Sequence, residues 1–459
     1  MKKLLIFLCC CLPITSFCQD SYTLKFLPQL QESQWFNASN QTDAKVSVGL
    51  PVFSSVSMYI YNTGFSYHDV FHRVDNNTMG VDLGKLIDKL DSKNFLAFGA
   101  SVSLFSFNYA SHGFSAGLSI NDKLDFQFAY PNDFFKLLWY GNGHYIGQTL
   151  NIGNFGINAT YYREYALHLS KRFGNLTIGL SPKMLFGKTN INSKTTSIQL
   201  YTDPSYYQLT ATANMNVQMS GIPDSNDKKD GYFGADYIMN NKNKGYAIDL
   251  GAKYEITPKL SLSAGINDLG YINWTSNIHN YTAGPAAFTF DGFHAESFFQ
   301  GNTDIVSSQN LTDSLKKLIK FAENNSSYAT TLPYNFFTTV NYNTKHNLFG
   351  LQLSGTRFND QIIYAGTLCY QLKLGNHFTG ALSYTAKSTS TFNVGGAVIL
   401  QFLNMQWYVA TDNWWAAVTP LDSKNMNLRM GMNLVFGKNI KEEDKEEHFD
   451  GASKKDKFW

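Results

Sequence analysis

The chain has 459 residues, enough for a large core or several domains, yet only 16% are charged while 44% are apolar and 15% aromatic. With 35 glycines against 11 prolines, this composition favours β structure over helix, and no window after the first twenty residues is apolar for long enough to make a membrane helix. Lys and Arg number 37 against 35 Asp and Glu, a near balance that gives no case for nucleic acid as a partner.

At the start, Lys2 and Lys3 precede an apolar run from Leu4 to Pro13, and Ser16 and Cys18 occupy the −3 and −1 positions of a cut before Gln19. Residues 1–18 therefore read as a secretory signal peptide. The bulky Phe17 argues against lipid modification at Cys18, which needs a small residue there. Cleavage removes every cysteine but Cys369, so no internal disulfide framework is expected. Residues 19–43 are expected to form a plug-like segment that threads the lumen, or an extra strand.

Alternating segments then follow at 45–52, 56–65, 96–107, 113–128, 154–172, 176–187, 245–257, 259–274, 334–344, 347–358, 361–374, 377–387, 391–402, 404–411 and 426–436. Most are longer than ordinary strands of about 5–6 residues and suit strands tilted across a bilayer, which need about 9–11. Short connections such as Phe53–Ser55, Asn108–His112 and Phe173–Asn175 alternate with long ones at 66–95, 129–153, 188–244, 275–333 and 412–425. That asymmetry is the one outer-membrane barrels have between their two ends.

The faces are consistent along the chain. Tyr246, Ile248, Leu250, Ala252 and Tyr254 oppose Asp249, Gly251, Lys253 and Glu255; Leu428, Met430, Met432, Leu434 and Phe436 oppose Asn427, Arg429 and Asn433. Alternation alone also fits a soluble β-sandwich. The barrel is favoured because nearly every long strand alternates and no set of amphipathic helices exists to cover the apolar faces. Pairing every backbone group in lipid then requires closure.

Three helical patterns fall in long connections: VDLGKLIDKL (81–90), PNDFFKLLWYG (131–141) with Asn132 as its expected cap, and NLTDSLKKLIKFAENN (310–325). They read as packing on a barrel rim or as a lid. The charged stretch 438–459 is too polar to bury itself and is expected to be a disordered periplasmic tail.

The phrases YREYALHLSKRFGNLTIGLSPKMLFGK (162–188), ITPKLSLSAGINDLGYINW (256–274), TDNWWAAVTPLDSKNMNLRMGMNLVFG (411–437) and PQLQESQWFNAS (28–39) together resemble an uncharacterised outer-membrane β-barrel family of Bacteroidota, domain of unknown function 5723. That family is distantly similar to FadL-like barrels and to PorV and PorP/SprF-type barrels. It often has Asn-Pro-Ala where this chain has Asn37 followed directly by Ala38. The resemblance implies fold and location, and no catalytic residue, metal, cofactor or ligand.

The residues agree on the last point. GFSAG (113–117) matches a nucleophile elbow, but it opens a strand instead of joining strand to helix, so Ser115 reads as a strand serine. His68 and His72 have metal-pair spacing with no third ligand. Cys369 reads as a small packed residue facing the lumen. More informative are charges on the polar faces: Glu164, His168, Lys183, Asp249, Lys253, Glu255 and Arg429 are expected to face the lumen. Both signs occur, so the interior reads as salt-bridged, either filling a wide barrel or lining a path for a solute. Arg163 and Arg357 are expected to face outward near the long-loop end.

The reading is an all-β transmembrane antiparallel β-barrel of about 14 strands, within 12–16, with short helices in long loops, spanning 44–437 in the outer membrane. The expected function is a FadL-like passive channel for small hydrophobic or amphipathic molecules, with an apolar pocket near the plug and a lateral gap. The alternative is a non-transporting barrel that anchors a surface or secretion-system partner. Lipid and the barrel-insertion machinery are the other expected partners. An enzyme is the least favoured class.

Overall fold

The computed structural model describes residues 21–73, 79–153, 155–205, 208–222, 239–290, 322–358 and 361–438. The stretch expected to be a signal peptide (1–18), the expected tail beyond Lys438 and most of the helical pattern 310–325 lie outside the described residues. The end of that pattern, Ala322–Asn324, is a short strand.

Fourteen antiparallel strands close into a barrel. The first, β1, comes in two pieces, Ala44–Gly49 and Val56–Asn62. Then follow β2 (Asn94–Ser111), β3 (Phe114–Tyr130), β4 (Gly156–Phe173), β5 (Leu176–Thr202), β6 (Asn243–Glu255) and β7 (Leu260–Trp274). The second half has β8 (Tyr334–Asn343), β9 (Asn347–Phe358), β10 (Gln361–Leu374), β11 (Phe378–Lys387), β12 (Ser390–Phe402), β13 (Met405–Thr411) and β14 (Asn425–Lys438). Each pairs with the next, and β1 pairs with β14 from Ala44↔Lys438 to Tyr61↔Asn425, which leaves no open edge. Above the rim, the far half of β5 continues onto Leu209–Ser220, which pairs with Ile278–Phe290.

The one merger in the strand list is at the start. Residues 53–55 are not a hairpin turn, because both pieces of β1 pair with the same neighbours in the same direction. Residues 50–55 bulge between them, with Val52 in the left-handed region at φ 68°. The backbone stays bonded on both sides, from Val52 N to Ser103 O and from Met432 N to Phe53 O, so no lateral gap opens at this break.

Small turns explain the tight end. Gly174 takes φ 56° in the β4–β5 turn, a conformation glycine adopts without strain. At the other end, helices α1 (Leu83–Lys89) and α2 (Asn132–Tyr140) pack with Val70, Leu90 and Tyr130 into an apolar cluster. Asn132 does not cap α2; Pro131 holds that position, and the Asn132 amide donates instead to Ile87 O and Leu90 O at the end of α1.

The outer wall carries the apolar faces. Tyr246, Leu250, Leu353, Leu382, Met430 and Phe436 are all exposed, whereas Asp249, Arg429 and Asn433 on alternate positions are buried. An apolar surface that extends around a closed sheet meets lipid, not a protein core. Met432 lies in this band opposite Trp407. Charge on the lipid face costs up to about 2–4 kcal/mol at mid-bilayer, with acids at the lower end. Met432→Asp is therefore expected to deplete the heat-modifiable folded band in membrane extracts, and a wild-type yield of that band would refute the outward placement.

Candidate functional site

Residues 21–43 run inside the barrel and are nearly all buried. Leu24, Leu27 and Leu30 recur every third residue over two short 3-10 turns, Leu24–Phe26 and Gln31–Trp35, and that spacing puts them on one side. They pack on Ala397, Ile399, Tyr408 and Ala410, the inward apolar patch of β12 and β13. Full burial of a leucine contributes about 1.5–3 kcal/mol.

Polar contacts fix the ends of this plug. Asp412, just past β13, accepts from Tyr22 N at 3.1 Å, Thr23 N at 2.7 Å and Thr23 Oγ1 at 2.7 Å. Further along, the Gln31 amide donates to Ser106 and Asn433, and Gln34 to Ser115. Asn433 Nδ2 also donates to both oxygens of Glu32, at 2.9 and 3.0 Å. Burial nevertheless pushes the Glu32 carboxyl up to about 7. At the plug's far end Asn37 Oδ1 accepts from Ser39 N and Ser39 Oγ, closing an Asx turn. Two wall glycines receive this turn: a Cβ on Gly179 would sit 1.9 Å from Ala38 O, and one on Gly251 would sit 2.8 Å from Ser39 N.

On the long-loop side of the plug lies a chamber. Trp35 and Phe36 of the plug, Tyr59 of β1, Asp125 of β3 and Arg429 of β14 line it. A second hollow, lined by Asn158, Thr160, Asn190 and Thr330, shares Asp125 and Pro333 with the first. The lining mixes amide, charged and aromatic groups, which corrects the expectation of an apolar pocket near the plug.

One wall of the chamber is an ion cluster. Lys183 Nζ lies 2.6 Å from Asp268 Oδ1, 2.8 Å from Asp249 Oδ2 and 3.5 Å from Glu164 Oε2. Lys123 Nζ lies 2.8 Å from Glu164 Oε2. Of the residues expected in the lumen, Glu164 and Arg429 line the chamber, and Lys183 and Asp249 lie in the cluster. His168 is buried in the wall between Ser119 Oγ and Ser181 Oγ, at 2.9 and 3.0 Å. Lys253 and Glu255 are half-buried at the short-turn end, away from the chamber, where Glu255 pairs with Arg172 at 2.6 Å.

Lys123, Asp125 and Asp268 were missed. Lys123 and Asp125 continue the inward odd positions of β3 from Ser115 through Asn121, and that run was legible. Asp268 breaks alternation because it occupies a left-handed bulge at φ 59°, where its N–H donates to Asp249 Oδ1. Arg163 sits on the outer side, but it is buried against Asp122 at 2.7 Å and Met239, not in headgroups or water. Ser115 Oγ donates to Asn108 Oδ1 within the strand pair, and His68 pairs with Asp422 at 2.6 Å. Cys369 is buried against Phe26 and Leu348.

A closed antiparallel barrel, apolar outside and polar inside with a folded-in amino-terminal segment, defines a plugged transmembrane β-barrel. The chain belongs to the family of unknown function DUF5723, whose model matches residues 39–412. No curated protein matches it. Among solved structures it is similar to the TodX deltaS2S3 mutant monoaromatic hydrocarbon channel, at 9% identity and TM-score 0.42, covering 93% of this chain and 96% of that one. It is also similar to the Pseudomonas putida toluene transporter TodX, at 8% identity and TM-score 0.41, covering 92% and 98%. A Pseudomonas aeruginosa FadL homologue is similar at 10% identity and TM-score 0.41, covering 92% and 99%.

Proposed function

We propose that the protein is a passive outer-membrane channel for small amphipathic molecules, with residues 21–43 as its gate. The observation that carries this reading is the way the plug is seated. Its contacts are side-chain hydrogen bonds, an ion pair of Asp43 with Lys373, a strip of three leucines and the Phe26 ring, all reversible, and a mixed polar and aromatic chamber lies directly beyond it. A barrel that only needed stiffening would gain more from a continuous packed core. The charged groups around the chamber move the solute class from hydrophobic to amphipathic, with rings or short chains on Trp35 and Phe36.

A second reading, a barrel anchoring a surface or secretion partner, is supported by Leu138, Trp139 and Tyr140 on α2, all exposed at the long-loop end. Planar-bilayer recordings separate the two. The channel reading expects small, infrequent openings from the full chain and stable, large conductance once residues 20–43 are deleted. Silence from both proteins, each shown to be folded by heat-modifiability, overturns it and favours the anchor.

A further inference from the structure

Arg429 is a cation on the chamber lining whose nearest acids, Glu32 and Asp412, act on its charge without forming a direct ion pair with it. It is buried, and it takes part in none of the ion pairs found among the described residues. Its Nη1 donates to Ser55 Oγ at 2.9 Å, while its Nε makes no hydrogen bond. The Phe36 ring covers one face of the guanidinium at 5.0 Å. Leaving a buried guanidinium N–H unmade is costly, more so for a charged donor. By contrast, the other cation lining the chamber, Lys123, is engaged by Glu164 and Asp268. The ring and the serine fix the plane of Arg429; its Nε is enclosed and unpaired, so a ligand that takes the Nε edge must displace part of what covers it. Two parallel N–H groups on that edge match a planar carboxylate.

Size limits what the carboxylate belongs to. The chamber has a volume of about 60 Å³. A water needs about 10–15 Å³ on that measure, so the space takes roughly four to six non-hydrogen atoms. A long acyl chain does not fit. A phosphate dianion would fit by volume, but its second negative charge has no match: Lys123 is already engaged by Glu164 and Asp268, whereas a carboxylate brings one charge for the one on Arg429.

We propose that Arg429 is the receptor for the carboxylate of a short aliphatic acid, of about two to four carbons, held above the plug with its chain against Phe36 and Trp35. This deepens the channel reading and rests on it for the route by which the acid arrives. Binding itself is measured without transport, so the two fail separately.

The test is saturation-transfer NMR on the purified full chain in neutral detergent micelles, with propionate as the probe and propionamide as its uncharged counterpart. Propionate is expected to give a saturable signal that inorganic phosphate displaces poorly, and propionamide to give none. Arg429→Gln is expected to weaken propionate binding by roughly tenfold or more. If Arg429→Gln fails to fold, Ser101→Phe, which fills the chamber from β2 and leaves Arg429 in place, is expected to abolish the signal. Equal binding of propionamide, or wild-type binding of propionate in either folded variant, overturns the assignment. Propionate binding by a protein with no conductance in any form sinks the channel and leaves the receptor standing.

Discussion

Replacing Gly179 by leucine is expected to leave the fourteen-stranded wall assembled and to drive residues 37–40 off it. The Cβ alone would lie 1.9 Å from Ala38 O and 2.1 Å from Ala38 C, both backbone atoms, so no side-chain rotation relieves the overlap. Something must move, and the choice is between β5 and the plug. Gly179 is paired to Ser170 on one side and Gly251 on the other, within ladders that run almost the whole height of the barrel. The plug turn is held at this point by the Asn37 cap and by Asn267 Nδ2 donating to Phe36 O at 2.7 Å. Overpacking typically costs about 1–3 kcal/mol, against about 0.5–1.5 kcal/mol for a single hydrogen bond, so the plug gives way first.

The amino-terminal half of the plug responds differently. Three leucines and the Asp412 contacts hold it independently of the turn at Ala38. Gly179→Leu alone should therefore expose the turn while residues 22–30 stay seated. Adding Asp412→Ala should release the whole segment and bring conductance to that of the plug-deleted barrel. A Ser39→Cys reporter in a Cys369→Ser background reads the first step by thiol labelling, with Gly366→Leu as the control. A Cβ at Gly366 meets only the Leu353 side chain, at 3.7 Å. Unchanged labelling of Ser39→Cys in the Gly179→Leu protein would show that the turn is not seated on this glycine.

How much of this was legible in the sequence depends on the level. Period-two alternation located every barrel strand, because lipid on one side and a polar lumen on the other constrain every second residue. It misjudged the first strand, since the bulge at 50–55 has the look of a turn when only one chain segment is in view. It also missed Asp268, because one left-handed residue reverses the facing of its side chain. The plug left a sequence signal that went unread: Gly179, Gly251 and Gly350 all fall on lumenal positions, and a strand needs no bare lumenal surface unless another backbone or ring comes close. Gly350 receives Phe26, whose nearest ring carbon would lie 2.3 Å from a Cβ there. Which residues meet across the lumen was not legible, because Lys183 and Asp268 are brought together by register, bulge and barrel closure at once.

That meeting carries the second large effect. Lys183 stands among Glu164, Asp249 and Asp268 with its side chain 2% exposed, and Asp249 is fully buried. Lys183→Met keeps the length and most of the volume but leaves three carboxylates facing Lys123 alone. Removing one partner of a buried pair typically costs about 3–5 kcal/mol, because the charge left behind is neither solvated nor matched. The folded barrel is expected to melt well below the wild type, or to fail to assemble. Asp249→Asn in the same chain should restore much of the loss. The amide oxygen still accepts the Asp268 N–H that Oδ1 accepts at 2.7 Å, while one excess negative charge disappears. Alone, Asp249→Asn should cost less than Lys183→Met, since Lys183 keeps Asp268 and Glu164. The four-protein cycle of heat-modifiability midpoints therefore has a definite sign: the double variant melts above Lys183→Met. A double variant that melts below it would mean that packing around Lys183, not charge balance, holds this side of the chamber together.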